Sequence, residues 1–257
     1  MLFSHRCHDY QAIRRRLREI GRQNSLSLGV LAQAGSDTVY TLSSRPDRRR
    51  PRVFLSAGVH GDEAGAVEAL LCWLEARPAW LKTFAFSILP VMNPWGLVRN
   101  LRINENGIDL NRSYHLNSVP VLRAARRFIA AGAPYDLAVL LHEDYDAQGL
   151  YLYELAGRSL SWGEDILKAA RKVCPIETRS RIDGRRHRNG VVQRKVTPAF
   201  FKKMGLPEAG FLFFNHCPRV FTIETPSEFG LDVRVRAHGA ALEAALHRLA
   251  SEKKGRP

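Results

Sequence analysis

The sequence predicts an α/β protein with three layers, α/β/α, built on a mixed, mostly parallel central sheet. Three observations predict it. Four short runs, "RVFLSAG" (52–58), "FAFSILPVMN" (84–93), "DLAVLLH" (136–142) and "VFTIETP" (220–226), are apolar almost throughout, as strands covered on both faces tend to be. Helical stretches separate them, and alternating strands and helices form layered α/β folds. His60, Asn93, His142 and Glu224 each stand at or just past the C-terminal end of such a run, the edge where open α/β sheets build their sites.

The elements follow in order. A helix over about 9–21 gathers Tyr10, Ile13, Leu17 and Ile20 on one side and leaves "RRRLR" (14–18) to the solvated face. A strand is expected near 37–42, then a Pro-rich turn, "RPDRRRPR" (45–52), before the strand 52–58. That strand breaks at a glycine, and a helix over 62–76 carries Cys72 on its apolar face as buried filler. The strand 84–93 ends at the turn "NPWG", and residues 95–118 read as one long loop. A helix near 119–131, strands over 136–142 and 149–155, and a helix over 163–173 come next. The strand 220–226 stops at Pro226, a helix takes up 231–251, and the tail "SEKKGRP" is expected to fray. No repeat or linker divides the chain, so residues 1–257 are read as one domain with its core over about 52–230.

Composition narrows the function. Hydrophobic residues make up 45% and charged residues 25% of the 257, ordinary for a globular protein. No apolar run approaches the roughly 20 residues that span a bilayer. Charges run through the N-terminal stretch, so no export signal is read there and a cytoplasmic location is expected. Cys7, Cys72, Cys174 and Cys217 are far apart with no C-x-x-C pair, which suits free thiols in a reducing compartment. The net charge of +14 raises nucleic-acid binding. The one basic stretch not absorbed by a helix face or turn, 179–195, lacks interleaved aromatics for base stacking. A small acidic substrate fits the field better.

His60, Glu63 and His142 form a candidate metal set. A catalytic zinc takes three protein ligands and keeps one position open, and Gly61 permits a tight turn between the first two residues. The bland alternative is a histidine at a helix N-terminus followed by a first-turn carboxylate favoured by the dipole. The stretch "NPWGLVRNLRINENGIDLNRSY" (93–114) shifts the balance, because loops of that length without secondary structure are usually functional.

The ordered series "HGDE", "NPWG", "R-x-N-x-x-G-I-D-L-N-R", a strand-end His and a strand-end Glu resembles the M14 zinc carboxypeptidase family. The likeness is strongest to short bacterial members of the murein-peptide amidase type, over roughly residues 52 to 230. It implies a zinc carboxypeptidase-like fold, one Zn2+ ion, and a short-peptide substrate cut at its C-terminal amide. It implies His60, Glu63 and His142 as metal ligands and Glu224 as the general base. It implies Arg102 as the group that steadies the oxyanion, and Asn111 with Arg112 as the holders of the substrate carboxylate. Asp109 is implied to orient a ligand histidine, His60. The chemistry is coherent: a guanidinium fork suits a carboxylate, fixed donors suit developing charge, and a carboxyl at an apolar strand end titrates high.

The chain departs from the larger carboxypeptidases in one respect. All its tyrosines lie at or before Tyr153, so none is expected on the approach to Glu224. Glu143, Asp144 and Asp146 could line the mouth and meet a cationic group, or equally form a solvated loop; "YLYE" (151–154) could form a wall, with Glu154 as another amine contact, and segment 179–195 could lie across the entrance. The rival activity is deacylation of N-acyl amino acids, as in aspartoacylase and succinylglutamate desuccinylase, which share the H-G-x-E and D-L-N-R elements.

Overall fold

The computed structural model describes residues 7–76, 78–157, 161–193 and 196–254. The strands are β1 (Ser27–Ala34), β2 (Asp37–Ser43), β3 (Arg52–Ala57), β4 (Ala85–Leu89), β5 (Leu137–Asp144), β6 (Tyr151–Leu155), β7 (Val191–Gln193) and β8 (Val220–Pro226). They form one sheet in the order β1-β2-β4-β3-β5-β8-β6-β7. The central strands β4, β3, β5 and β8 are parallel to one another, β2 runs antiparallel to β4, and β6 antiparallel to β8. The sheet is therefore mixed with a parallel centre, as expected. β8 is the last strand in the chain yet lies inside the sheet, between β5 and β6.

Alternation along the buried strands sorts side chains into two cores. Val53, Leu55 and Ala57 of β3 and Leu137, Val139 and Leu141 of β5 pack with α1 (Tyr10–Asn24), α2 (Ala64–Ala76), α6 (Gly163–Ala170) and α9 (Leu231–Lys254). Phe54, Ala138 and Leu140 point the other way, toward α5 (Pro120–Gly132) and α8 (Glu208–Asn215). Helices α3 (Pro78–Thr83), α4 (Pro94–Arg99) and α7 (Pro198–Met204) complete the set. Asp9 caps α1 by accepting the Ala12 N–H at 2.9 Å, and Ile13, Leu17 and Ile20 are each about 1% exposed. Burial of each is worth about 1.5–3 kcal/mol, which anchors this helix to the sheet through its predicted face. Among the described residues no helix is long and apolar enough to cross a membrane.

Several expectations need correction. β1 pairs antiparallel with β2 as a hairpin, where only β2 was expected. The stretch 95–118 is not one loop: α4 occupies its start, and a short 3-10 turn covers Leu110–Arg112. The C-terminal residues through Lys254 are helical rather than frayed. Lys253 pairs with Asp136 at 2.5 Å and Glu252 with Arg219 at 2.8 Å; residues 255–257 lie outside the described ones. Cys72 is only half-buried, and its thiol donates to Glu68 at 3.1 Å within an ion-pair cluster. Arg16 of the "solvated" basic run belongs to the same cluster, bonding Glu68 at 2.6 Å and Glu75 at 2.8 Å.

Candidate metal centre

The topology decides where the site forms. β3 connects through α2 to β4 on one side, and the chain then returns to β5 on the other side of β3. The carboxyl ends of β3 and β5 thus flank the point where strand order reverses, the place where crevices open in such sheets. His60 and Glu63 follow β3 directly. Gly58 supplies the left-handed backbone of this turn, with φ of +62°. Gly61 serves differently from the expectation: a Cβ there would overlap the main chain of Gly96 and Leu97 in α4. Its role is close approach, and the positive φ falls three residues earlier.

His60, Glu63 and His142 are each 3% exposed and converge. His60 Nδ1 lies 2.5 Å from Glu63 Oε1, and His142 Nδ1 lies 2.8 Å from Glu63 Oε2. The two imidazoles meet edge to face at 5.1 Å between centroids. One ligand atom from each of the three residues falls within 4.8 Å of the others. Glu63 Oε2 is buried and has no aligned hydrogen-bond donor despite its 2.8 Å neighbour. Three ligand atoms this close together, with an orphaned carboxylate oxygen among the three residues, fit a shared cation. Two imidazoles and one carboxylate are a donor set suited to zinc.

The electrostatics are those of a tight, buried charge group. Burial works to lower the His60 pKa, but the carboxylates of Glu63 and Asp109 outweigh it and raise it to about 8. His142 is likewise raised, Glu63 overcoming burial. Glu63 itself is held well below the ordinary range: burial opposes this, and the two imidazoles prevail.

Around this centre the other predicted residues take their places. Glu224 sits in register with His142 on one side and Tyr151 on the other. Burial, reinforced by the Glu63, Asp144 and Asp183 carboxylates against the opposing pull of His142, pushes its carboxyl up to about 8. Asp109 Oδ1 lies 3.4 Å from His60 Nε2 and accepts the Asn111 N–H at 2.9 Å. Its Oδ2 accepts from Arg102 Nε at 3.0 Å. Burial tends to raise the Asp109 pKa, but His60, Arg102 and Arg112 lower it well below the carboxylate range. Arg102 Nη1 also approaches His60 Nδ1 at 3.2 Å. Asn111 is 9% exposed, and its Oδ1 accepts the Glu208 N–H at 3.0 Å. The exposed Arg112 donates to the Asn111 carbonyl at 3.0 Å. All of these except Asp109 line one cavity of about 660 Å³.

Other readings fail or change. Asn93 does not face the cavity; it is 1% exposed, caps α4 through Gly96 N–H, and donates to the Ile103 carbonyl at 2.9 Å. It thereby holds the loop that carries Arg102. Glu154 is no amine contact: it is buried and accepts from Trp162 N–H at 2.8 Å and from Ser161. Glu143, Asp144 and Asp146 do line the cavity, but the Glu143 carboxylate is turned away from it, buried and bonded to Gly65 N–H and Arg234. The approach to Glu224 is not free of tyrosine. Tyr145, Tyr151 and Tyr153 all line the same cavity, the latter two from β6, so "YLYE" does form a wall. Segment 179–195 builds the sheet edge: Ile182 is buried and β7 pairs with β6. Its Asp183 reaches the cavity and bonds the Tyr153 hydroxyl, while Arg194 and Lys195 lie outside the described residues. The sequence reading missed α7 and α8, which contribute Phe200, Phe201, Met204 and Gly210 to the cavity wall. It also missed the buried Glu208, which accepts from Ser56 and Tyr114 hydroxyls at 2.8 and 2.7 Å.

With this geometry in view, the chain can be set beside known proteins. The family model described as "Succinylglutamate desuccinylase/Aspartoacylase catalytic domain" matches residues 49–171. Murein peptide amidase A of Escherichia coli is 36% identical over 69 residues, 27% of this chain and 28% of that protein. Cytosolic carboxypeptidase 1 of Gallus gallus is 25% identical over 138 residues, 48% of this chain and 11% of that one. The matched stretches thus span well under a third of either relative. Among solved structures, a Shewanella amazonensis protein provisionally described as a metallopeptidase superposes with a TM-score of 0.83 at 24% identity, covering 95% of this chain and 94% of its own. A metallo-carboxypeptidase from Burkholderia cenocepacia gives 0.70 at 18%, covering 93% and 68%. The fold is that of the metallocarboxypeptidases, and the sequence resembles the desuccinylase/aspartoacylase catalytic domain and the murein peptide amidase.

Proposed function

We propose, from that shared fold and the geometry of the site, that the chain is a zinc-dependent hydrolase removing the C-terminal residue of a short peptide. One observation carries the reading: two imidazole nitrogens and a carboxylate converge within 4.8 Å, and Glu224 stands in register beside them. A single Zn2+ held by His60, Glu63 and His142 would polarise the scissile carbonyl and acidify a water molecule. Glu224, protonated and deprotonated near neutrality, accepts the proton of the attacking water and delivers it to the leaving amine. Arg102, held by Asp109 Oδ2 at 3.0 Å, would steady the oxygen on which charge develops. The Glu208 N–H occupies Asn111 Oδ1, so Asn111 offers its Nδ2 protons, with Arg112 beside it, to the substrate carboxylate. Asp109 Oδ1 lies 3.4 Å from His60 Nε2, which has no aligned hydrogen-bond partner; closing that contact would fix which ring nitrogen of His60 faces Glu63. We read residues 1–257 as one catalytic domain. All four cysteines are free thiols, which supports placing it in a reducing compartment such as the cytoplasm.

A second reading, hydrolysis of N-acyl amino acids, is favoured by the family-model match over residues 49–171. The cavity of about 660 Å³ exceeds what one acylated amino acid fills, which favours the peptide. Zinc-loaded protein incubated in parallel with tripeptides and with N-acetyl-aspartate or succinyl-glutamate separates the two. Release of C-terminal residues from tripeptides is expected; turnover confined to the acylated amino acids would transfer the assignment to the deacylase.

A further inference from the structure

On the other face of the sheet, directly behind the converging donors, lies a buried polar cluster with no part in the chemistry above. His142 and Glu224 face the cavity, so their successors Glu143 and Thr225, in register with each other, face α2 and α9. Glu143 is 5% and Thr225 0% exposed. The Glu143 carboxylate accepts three bonds: from Gly65 N–H at 2.8 Å, from Arg234 Nη1 at 2.8 Å and from the Thr225 hydroxyl at 3.4 Å. The hydroxyl oxygen of Thr225 lies 3.0 Å from His238 Nε2. Because its one proton goes to Glu143, His238 is the donor in that bond.

Each partner adjoins something at the front. Glu143 follows His142, Thr225 follows Glu224, and Gly65 comes two residues after Glu63 in the first turn of α2. A Cβ on Gly65 would overlap the Glu143 carboxylate, so the approach leaves no space for a side chain. Arg234 and His238 root the cluster in α9. A buried ion pair is seldom more stabilising than apolar residues of the same volume, and apolar side chains of α2 and α9 already pack together in the neighbouring core. What apolar residues do not supply is direction. Three bonds converging on one carboxylate set distances, and ligand spacing in a metal site tolerates only about 0.2 Å.

We infer that Glu143 is a positioning residue. From behind the sheet it fixes the Glu63 turn against the strand ends that carry His142 and Glu224, and Arg234 holds it in place. The inference rests on the front face being a metal centre, and the experiment separates the two. Full-length protein is titrated with zinc against a competing chelator, and its cobalt(II)-substituted form is examined by visible absorption. The variants are Glu143→Gln, Arg234→Met, Arg234→Lys and, as a control, Leu246→Ala, a core truncation further along α9. Glu143→Gln and Arg234→Met weaken zinc binding by about 10- to 100-fold and alter the cobalt spectrum. Arg234→Lys recovers most of the loss. Leu246→Ala lowers the melting temperature but leaves affinity and spectrum unchanged. Zinc affinities of Glu143→Gln and Arg234→Met within twofold of wild type, or an equal loss in Leu246→Ala, would overturn the inference while sparing the metal centre. A wild-type protein that takes up neither metal would overturn both. If Glu143→Gln does not fold, the Arg234 pair, partly exposed on α9, decides the matter.

Discussion

Among single residues, Glu224 bears the heaviest demand, since its surroundings resist the charge its role requires. Its carboxyl titrates at about 8 in the folded chain against roughly 4.3 when unfolded. Between those values the folded protein keeps a proton that the unfolded chain has released. In the metal-free protein this group therefore costs nothing below about pH 4, and its penalty grows through neutrality to a plateau above pH 8. Glu224→Gln removes the penalty. The metal-free variant is expected to resist urea better than wild type at pH 8–9, by about 2 kcal/mol after discounting for solvent access, with the gap closing near pH 4. Peptide turnover by the zinc-loaded variant should fall at least about a hundredfold with zinc still bound. Equal urea midpoints at pH 8.5 would mean the carboxyl is not strained, and undiminished turnover would remove it from the reaction. Glu143 illustrates the limit of reading residues singly: next to His142 it could have lined the mouth or a solvated loop, yet while it borders the cavity its carboxylate is buried against Gly65 and Arg234.

At the scale of elements, the parallel strands were legible because burial on both faces leaves a continuous apolar run, and their polar ends marked the site edge. β1 was not: Leu28, Val30, Leu31 and Ala32 are apolar, but this edge strand is mostly exposed or half-buried and a bulge between Val30 and Ala32 breaks its alternation. α7 and α8 lie in a Phe-rich stretch, 198–215, whose periodicity does not separate helix from strand. Tyr151 and Tyr153 were visible as a same-face pair, but their arrival beside Glu224 depends on β6 pairing antiparallel with β8 across some 70 residues, which no local pattern encodes. The β3–α2 turn gives an element-level test. Gly61→Ala forces a Cβ against the main chain of Gly96 and Leu97 in α4, so it should lower stability by about 3 kcal/mol and displace His60 and Glu63 together. A urea midpoint matching wild type would show that the turn relaxes, and that close approach to α4 is not what glycine provides there.

For the molecule as a whole, the three candidate donors come from two segments, the β3–α2 turn and the end of β5, that only the folded sheet brings together, so a cation that binds them binds the native state alone. Free zinc at about a hundred times its dissociation constant then stabilises the fold by about 2.7 kcal/mol, or roughly 5–10 °C in melting temperature for a chain of this size, and a chelator should reverse the gain. A melting temperature indifferent to both would argue against a native metal site. The placement of β8 has a consequence for biosynthesis. As synthesis proceeds toward the C-terminal side, β5 emerges with an open flank that stays vacant until Val220–Pro226 slot in beside it, some eighty residues later. Throughout that interval the nascent chain exposes an adhesive border and lacks Glu224, so a polypeptide halted before Val220 should precipitate, and the proposed chemistry must wait for the strand that closes the sheet.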